Sequence, residues 1–544
     1  MVGMDISEKL RTQLAGARTD GEVTIPEGTF LLTGDFSIPA GTRLTGSGSQ
    51  RTMLRSSGGT VLRIDNVSNV TVKGFSLSSG DGYCSVSVRP GAPKAKESAC
   101  PVNNVKLLDI AIENTVALSN RKKGKHGIEV KAWANENISN VLIQGCWVTG
   151  STGAESFKGL DNCYVASYDA AGTGQVSDVR IENCEFARAG QQNLSIAGKG
   201  LSKPTRITIL NCKFSDSALA GVDLEEASDV TIVGCSFRGD GLNTEYFTHE
   251  KPESSMRSGL TVYRTDVAVS NCTFENCFYG YSSVNTQRDG VRFTFCTFDN
   301  APLDRGSFAS MANTSYQDCQ FAGDRPLVNF YNSSCNLSNC SFMGRNSSIL
   351  MLAFGGGGIA SRSAGRGEFV DCSFVGTGGV LMEANYETLQ FTECTFRGLS
   401  ELITTGGEKR INMFLFQACG FTDVGTLGDF AAGSIESLTV NNSEGTLYRS
   451  LMRSSLRNGD FRFEGNIFTL PADGSSLLDK YKSFVFVNNT LHPAAAPGKT
   501  NAGKTGGEFL RLPGRKSAAR EVQTTLVKDN MATGKGNKIS NEKK

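Results

Sequence analysis

Short stretches of alternating hydrophobic and polar residues recur along most of this chain. Val179-Arg180-Ile181-Glu182 and Val230-Thr231-Ile232-Val233 are two of them. Because side chains of a β-strand point alternately to opposite faces, each stretch predicts a short strand with one buried face. Few helix-forming runs interrupt the pattern, and the chain is rich in Gly, Ser, Thr and Asn, which favours strands joined by many turns. The pattern therefore predicts an all-β protein.

A Cys-x-Phe motif follows many of these strands and repeats every roughly 25 residues, which is enough for one coil of three short strands with turns. Asn, Gly or Asp often precedes the Cys, as in Asn183-Cys184-Glu185-Phe186. The cysteines of the series are Cys184, Cys212, Cys235, Cys272, Cys296, Cys319, Cys340, Cys372, Cys394 and Cys419. We extend the same slot to Phe75, Ile110 and Cys146 before the series and to Asn442, Ile467 and Asn489 after it. The repeat predicts a right-handed parallel β-helix, a solenoid of about sixteen coils over residues 21–493.

The cysteines fit the interior of such a solenoid. Each side chain lies about 4.8 Å above its equivalent in the coil below, and Cys is a small hydrophobe that suits a narrow stack. We therefore predict that most of the 16 cysteines are buried free thiols. The Cys272/Cys277 and Cys335/Cys340 spacings resemble metal-ligand pairs, but no clustered histidines accompany them, and no metal site is predicted. Cys84 and Cys100 lie off the series, so in an oxidising setting they are the candidates for a disulfide.

The two ends differ from the middle. Residues 1–20 are predicted to hold a short helix that begins near Asp5-Ile6-Ser7-Glu8 and closes the open end of the solenoid. Residues 494–544 gain Gly, Lys and Asn and lose strand alternation, so they are predicted to be a basic tail of low order. Two hydrophobic runs would let that tail dock on a neighbouring subunit or a larger assembly: Phe509-Leu510-Arg511-Leu512 and Val522 to Val527.

The first turns carry a family resemblance. Glu22 to Phe30 holds a Pro-x-Gly-Thr-aromatic turn, and Phe36 to Gly48 holds a Pro-x-Gly-x-x-Leu-x-Gly-x-Gly turn. Together with the preceding helix they resemble the opening of pectate-lyase-superfamily parallel β-helix proteins, a group that includes many phage tailspikes. The resemblance implies the fold, and for a spike it implies a homotrimer. Such a trimer needs an apolar outer surface, for which Val328, Phe330 and Tyr331 or Leu350 to Phe354 are candidates.

A second resemblance lies in the middle of the chain. Arg188 to Ile196 and Ala220 to Glu226 are similar to a motif pair of β-helix proteins from phages and polysaccharide-degrading bacteria. The sequence departs from that pattern at Asn193, where Gly is usual, and at Glu226, where Pro is usual. The resemblance transfers a position and not a catalytic role.

The phase of the alternation places a carboxylate pair within this stretch. If Val222 and Leu224 point inward, Asp223 and Glu225 point outward from one strand with Cα atoms roughly 6.5–7 Å apart. Such a pair can act as general acid and base on a glycosidic bond, at a separation nearer the inverting range. It can also bind Ca²⁺ in a polysaccharide lyase, and carboxylates at outward positions of a soluble solenoid are also common as ordinary solvated surface.

The same phase argument predicts substrate-binding positions on neighbouring coils. They are Glu129, Lys131, Asn193, Ser195, Tyr263 and, on a loop, Trp133. Amide, hydroxyl and aromatic groups in a row suit an extended polysaccharide, because rings stack on sugars and polar groups bond to hydroxyls. The basic run from Arg121 to His126 fits an exposed loop between coils, or a contact to an acidic polysaccharide.

Charge and hydropathy narrow the functions. The net charge is +1, with 55 basic and 54 acidic residues, so no broad basic field indicates nucleic-acid binding. No stretch predicts membrane insertion, and the N-terminus lacks the pattern of a signal peptide. Together with the resemblance to phage tailspikes, these observations lead us to expect a phage spike or appendage that binds a host surface polysaccharide and, if it is an enzyme, cleaves it. We expect it in the virion after synthesis in the host cytoplasm, where its C-terminal tail would dock on other virion proteins. The alternatives are a non-enzymatic structural virion protein and a bacterial polysaccharide lyase, hydrolase or epimerase, cytoplasmic or extracellular.

Overall fold

The structure is a computed structural model. The residues that it describes are 3–17, 21–58, 60–81, 84–90, 100–114, 126–132, 136–149, 161–167, 174–200, 202–217, 219–239, 258–277, 279–283, 290–300, 314–324, 328–330, 335–345, 350–352, 366–376, 380–384, 386–404, 410–430, 434–454, 460–470, 476–478, 483–493, 510–511, 524–528 and 531–532. The chain divides into two compact units, Met1–Arg292 and Phe293–Lys544.

The first unit holds one helix and most of the longer strands. Its elements are β1 (Met4–Asp5), α1 (Ser7–Gly16), β2 (Glu22–Thr24), β3 (Gly28–Leu32), β4 (Phe36–Ser37), β5 (Arg43–Thr45), β6 (Thr52–Gly58), β7 (Leu62–Asp65), β8 (Val70–Asp81), β9 (Cys84–Arg89), β10 (Val102–Asn114), β11 (His126–Ala132), β12 (Ile138–Gln144), β13 (Trp147–Thr149), β14 (Cys163–Ser167), β15 (Val176–Glu182), β16 (Glu185–Ala187), β17 (Gln192–Gly198), β18 (Thr205–Leu210), β19 (Lys213–Ser215), β20 (Ala220–Glu225), β21 (Ser228–Val233), β22 (Ser236–Arg238), β23 (Ser258–Tyr263), β24 (Val267–Ser270), β25 (Thr273–Glu275) and β26 (Tyr279–Ser283).

The second unit repeats the pattern with shorter strands, and its boundary falls within β27. Its elements are β27 (Val291–Thr294), β28 (Thr297–Asp299), β29 (Thr314–Gln317), β30 (Gln320–Gly323), β31 (Val328–Phe330), β32 (Cys335–Ser338), β33 (Ser341–Gly344), β34 (Leu350–Leu352), β35 (Arg366–Val370), β36 (Ser373–Val375), β37 (Val380–Ala384), β38 (Tyr386–Thr392), β39 (Thr395–Arg397), β40 (Glu401–Thr404), β41 (Arg410–Gln417), β42 (Gly420–Val424), β43 (Asp429–Phe430), β44 (Ser434–Asn441), β45 (Glu444–Leu447), β46 (Arg453–Ser454), β47 (Asp460–Glu464), β48 (Ile467–Leu470), β49 (Ser476–Leu478), β50 (Ser483–Val487), β51 (Thr490–Pro493), β52 (Leu510–Arg511), β53 (Thr524–Lys528) and β54 (Met531–Ala532).

Both units are coils of three short strands in which each strand pairs in parallel with its equivalent in the next coil. In the first unit one coil runs through β15, β16 and β17, which pair with β18, β19 and β20. Strands β4, β7, β9, β11, β14, β17, β20, β23 and β26 form a nine-stranded parallel sheet along one side of this unit. The second unit has an eight-stranded sheet, β31, β34, β37, β40, β43, β46, β49 and β52, in the equivalent place of its coils. The predicted parallel β-helix is confirmed.

The Cys-x-Phe motif builds the interior of the coils. Phe186, Phe214, Phe237 and Phe274 stack face to face with ring centroids 5.5, 5.1 and 4.6 Å apart. The residue before each Cys has a left-handed backbone, with φ of 53° at Asn183 and 65° at Gly234, and this conformation favours Asn, Asp and Gly. The corner between two strands of a coil therefore explains the composition of the motif.

The cysteines whose side chains the structure describes are free thiols, including the disulfide candidates Cys84 and Cys100. Cys100 is exposed, and the others are buried. Their sulfur atoms also accept hydrogen bonds from the preceding coil, as from the N–H of Cys212 to Sγ of Cys235 at 3.4 Å. After Cys419 the slot is taken by Ser443, Asn466 and Asn489, whose side-chain oxygens accept the equivalent N–H groups. The sequence assignment of Asn442 and Ile467 to this slot is wrong by one residue. Asn442 is the left-handed corner residue with φ 48°, and Ile467 is 47 % exposed.

The two ends are built differently from each other. Helix α1 buries Leu10 and Leu14, and the carboxylate of Asp5 accepts the N–H of Ser7 at its start. Hydrogen bonding to the side chain and then to the N–H of Ser7 lowers the pKa of Asp5. At the other end, β52, β53 and β54 lie inside the segment that the sequence predicted to be a tail of low order. Strand β53 pairs with β50, with Phe486 opposite Val527, so coiling extends beyond residue 493. The run Thr524-Thr525-Leu526-Val527 is rich in strand-forming residues, a signal that the Lys and Gly content of the segment obscured.

Candidate functional site

The outward side chains of the nine-stranded sheet form columns, because the register between coils is unbroken from β9 to β23. The first column contains Ser87, Glu129, Tyr164, Ser195, Asp223 and Thr261. The second, two residues further along each strand, contains Arg89, Lys131, Ala166, Ala197, Glu225 and Tyr263. Six of the residues singled out from the sequence fall in these columns: Glu129, Lys131, Ser195, Asp223, Glu225 and Tyr263.

A third column precedes them, and the sequence argument missed it. It contains Cys84, His126, Asp161, Gln192, Ala220 and Ser258. These side chains reach the first column of the following coil: the ring of His126 stacks on Tyr164 at 4.8 Å, and Ser258 Oγ lies 2.8 Å from Ser282 Oγ. We call the outward side chains of β9, β11, β14, β17, β20 and β23 in these columns, with Asp161 just before β14, the three-column face.

A corner residue between the third and first columns breaks the alternation of two. The corner residue is Asn162 and Asn193 in two consecutive coils, and Gly221 and Gly259 in the next two. A Cβ on Gly221 would lie 2.9 Å from the ring of Phe237, so this position faces the interior. The third column then lies three residues before the first column instead of two. A period of two therefore could not find His126, Asp161 or Gln192.

Asn193 is the sequence-predicted site residue that the structure moves away from the outer surface. It is 0 % exposed, its Nδ2 donates to the carbonyl of Ser215 at 2.9 Å, and its Oδ1 accepts from Asn162 Nδ2 at 2.9 Å. The Asn162 amide also donates to the carbonyl of Ala187. The prediction that Asn193 faces outward is wrong, because a corner amide satisfies backbone carbonyls where the neighbouring strands end. The sequence also predicts Glu129, Asp223 and Ser195 as surface residues. Glu129 is instead 0 % exposed, and Asp223 and Ser195 are buried.

One end of the face combines basic and acidic groups around an aromatic ring. Lys131 Nζ lies 5.6 Å from the ring centroid of Tyr164, on which His126 also stacks. Burial lowers the pKa of Lys131, while the charge of Glu129 opposes that shift and the charge of Arg89 adds to it. Burial together with the charge of Lys131 lowers the pKa of His126 to about 4, so the imidazole is neutral at pH 7. His126 thus belongs to β11 and is buried, contrary to its interpretation as part of an exposed loop.

The other end is acidic. Burial raises the pKa of Asp161 to about 7 against a hydrogen bond from the N–H of Gln192, and the charge of Glu225 raises it further. Burial, Glu225 and Asp161 raise the pKa of Asp223 well above its usual range. Enclosure by protein and the charge of Glu226 raise the pKa of Glu225, although this side chain is exposed at the edge of the face. Carboxyl groups that hold protons near neutral pH can serve as proton donors.

The edge beyond Glu225 is partly open. Tyr263 is half-buried, and the guanidinium of Arg264 lies 5.0 Å from its ring centroid while also pairing with Glu226 at 3.0 Å. Trp133, Arg121 to Lys125, and Tyr331 lie outside the described residues, as do the side chains of Val328, Phe330 and Leu350 to Phe354. The roles predicted for the site residues remain predictions.

Two further observations concern the described part of the chain. No group of three or more His, Cys, Asp or Glu side chains in it is arranged to hold a metal ion. No helix among the described residues is long and apolar enough to cross a membrane.

Comparison with known proteins agrees with the fold. Residues 158–325, which include most of the three-column face, match the family model for a right handed beta helix region. The coils and this match define a right-handed parallel β-helix protein. No curated protein sequence matches the chain.

Among solved structures, the chain is similar to the PL6 family alginate lyase AlyGC, with 11% identity, 98% of this chain and 100% of that chain covered, and a TM-score of 0.39. It is similar to pre-mature bacteriophage phi29 gene product 12, with 14% identity, coverage of 90% and 68%, and a TM-score of 0.39. It is also similar to the A-module of Azotobacter vinelandii mannuronan C-5 epimerase AlgE4, with 12% identity, coverage of 74% and 94%, and a TM-score of 0.32. At these identities and TM-scores the likenesses carry no argument about activity.

Proposed function

We propose that the three-column face binds an extended polysaccharide and cleaves it by acid–base chemistry. The observation that carries the proposal is the burial of ionisable groups at outward positions of consecutive coils. Ionisable groups at outward positions of other strands of the first unit include exposed ones, such as Arg206 on β18 and Asp229 on β21. Burying Glu129, Asp161 and Asp223 opposes folding, and such clusters concentrate at functional sites.

The chemistry follows from the two ends of the face. Asp223, whose raised pKa keeps it protonated, is the proton donor to the leaving oxygen, and Glu225 at the open edge is the base. Between Lys131 and Glu225 the second column holds only Ala166 and Ala197, two small side chains that are themselves buried. Coils lie about 4.8 Å apart, so this stretch spans roughly 14 Å.

The setting is the second part of the proposal. The protein acts as a spike or appendage of a phage virion, assembles as a homotrimer, and meets a polysaccharide on the host surface. The opening turns of the sequence support this setting by resemblance to tailspike-type proteins. A bacterial lyase, hydrolase or epimerase would use the same face, whereas a purely structural virion protein gives no reason for burying so many ionisable groups there.

The test is release of reducing ends and of unsaturated uronates from bacterial capsules, lipopolysaccharides, alginate and pectin. The wild type is compared with the double variant Asp223→Asn/Glu225→Gln. The matched control, Asp229→Asn/Glu275→Gln, changes two exposed carboxylates on other strands of the same unit. We expect the site variant to lose at least a hundredfold of the activity, as removal of a general acid or base typically does, and the control to retain it.

The products separate the reaction classes. Ultraviolet absorbance of an unsaturated uronate indicates a lyase, and reducing ends without it indicate a hydrolase. Release that persists in the site variant would place the chemistry elsewhere. A folded wild type that binds these polysaccharides and releases nothing would leave a binding protein, and one that does neither would contradict the proposal.

A further inference from the structure

Gln192 connects the two acidic groups whose pKa values are raised most within the described face. Its backbone N–H donates to Asp161 Oδ1 at 3.1 Å, and its side-chain Nε2 donates to Asp223 Oδ2 at 3.3 Å. Asp161 lies just before β14 and Asp223 lies on β20, so the two carboxyl groups belong to coils on either side of β17. Gln192 therefore links the carboxyl groups of Asp161 and Asp223 through two hydrogen bonds of its own.

The backbone of Gln192 is fixed on both sides. Its carbonyl accepts the N–H of Asn162 at 3.1 Å, and the following residue, Asn193, is held in the corner by its bonds to Asn162 and Ser215. Gln192 itself is buried, so water cannot easily replace its amide as a donor. The corner asparagines therefore determine where the Gln192 side chain begins, and its length brings the amide to Asp223.

We propose that Gln192 is a positioning residue that holds the carboxyl groups of Asp161 and Asp223 in fixed orientation at the two ends of one hydrogen-bonded chain. The inference rests on the proposed function for its catalytic meaning, but not for its geometry. Both donors favour the ionised carboxylate and so oppose the effect of burial. Gln192 thereby keeps the proton of Asp223 available for transfer instead of permanently bound.

Other groups also face the two carboxyls and must be kept constant in a test. Asp161 faces His126 of β11, whose Nδ1 lies 3.6 Å from Oδ2, and both carboxyls experience the charge of Glu225. Across the sheet, Asp223 is in register with Ser195 and Thr261, which are uncharged. Substituting only the side chain of Gln192 leaves all these groups in place.

The two hydrogen bonds come from different parts of Gln192, which provides an internal control. In Gln192→Met the backbone N–H to Asp161 remains, while the amide to Asp223 is lost. We expect the apparent pKa of Asp223 to rise and that of Asp161 to stay near 7. The measurement is the pH titration of carboxyl ¹³C signals in the full chain with labelled aspartate, assigned with Asp161→Asn and Asp223→Asn. Gln320→Met, at an exposed position, should change neither titration.

Gln192→Asn is the second variant, because it keeps a polar amide but is one methylene too short to reach Asp223. It should give the same upward shift, and far-ultraviolet circular dichroism checks that each variant is folded. An unchanged pKa of Asp223, or equal pKa shifts of Asp161 and Asp223, would overturn the positioning role.

Because this titration needs no substrate, it can succeed where polysaccharide release fails, which would reject the proposed function alone. Where release is observed, the alkaline limb of the pH–activity profile should move to higher pH in Gln192→Met, and a lower activity at an unchanged pH profile would contradict the inference.

Discussion

The Cys-Phe interior and the three-column face both consist of stacked side chains at the coil repeat, yet they bury opposite kinds of group. The interior stacks rings and thiols, which gain free energy on leaving water and need few hydrogen bonds. The face buries carboxyl, ammonium and imidazole groups, which lose hydration and shift their pKa values instead. The same solenoid geometry therefore stabilises the fold at one place and strains it at the other.

The Cys-Phe interior stabilises the fold, whereas the three-column face carries the proposed function, so the two properties lie in different parts of the coils. Every coil repeats the same stabilising interior. The free energy that this interior contributes can therefore offset the cost of burying ionisable groups, which is confined to the few coils from β11 to β20. Sites that sacrifice stability for chemistry are expected to become more stable when their ionisable groups are removed. Substitutions in the two regions should thus change stability in opposite directions.

The largest expected effect is in the interior. Phe321 stacks between Phe298 and Phe342 with centroids 4.9 and 4.8 Å away, and Phe321→Ala should lower the free energy of unfolding by about 3–5 kcal/mol. The control Phe295→Ala removes a ring of the same unit that is 59 % exposed, and it should cost about 0.5 kcal/mol or less. Urea unfolding of both variants checks the prediction. Equal losses would mean that the stack is not what stabilises the coils.

The second prediction is a gain in the free energy of unfolding, opposite in sign to the first. The folded-state pKa of Asp223 is raised, so its contribution to stability is present below the unfolded-state pKa and is lost as the pH rises through the folded-state value. Asp223→Asn removes that loss and should stabilise the protein by about 1–3 kcal/mol at alkaline pH, with little change in acid. Asp229→Asn, at an exposed position, should do neither. Thermal unfolding at the two pH values is the measurement, and destabilisation of Asp223→Asn at alkaline pH would contradict the assigned strain.

How much of this was available from the sequence depends on which rule governed each position. Phe237 and Leu224 obey the period of two and the coil repeat, so the interior and the outward placement of Asp223 and Glu225 could be predicted. Asn193 could not, because a corner between strands shifts the phase by one residue and a buried amide leaves no hydrophobic signal. The shift at Ser443 after Cys419 has the same origin: once the Cys is replaced, nothing in the motif distinguishes the inward residue from the corner residue before it.

Burial was the other property that the sequence did not reveal. Lys131 and Glu129 look like ordinary surface residues, and only the structure shows that both are enclosed. His126 was read as the end of a basic run, because its partner Asp161 lies on another coil and 35 positions later in the chain, as the two residue numbers show. Contacts between coils depend on register, which the variable lengths of the connecting segments conceal.

The most gradual expected effect concerns His126 and Asp161, which should tilt the pH dependence of stability in opposite directions over several pH units. The pKa of His126 is lowered to about 4, so its contribution is present above its unfolded value near 6.5 and is lost as the pH falls toward 4. The pKa of Asp161 is raised to about 7, so its contribution is present below its unfolded value near 3.8 and is lost as the pH rises toward 7.

His126→Gln should therefore reduce the loss of stability on the acid side, and Asp161→Asn should reduce the loss toward neutral pH. Each slope is limited to about 1.4 kcal/mol per pH unit, since one proton is involved. Urea unfolding between these pH values measures both slopes, with Asp229→Asn as the control that should leave the profile unchanged. If both variants tilted the profile in the same direction, the two groups would not be buried as an uncharged pair, and the contrast between the face and the interior would lose its electrostatic basis.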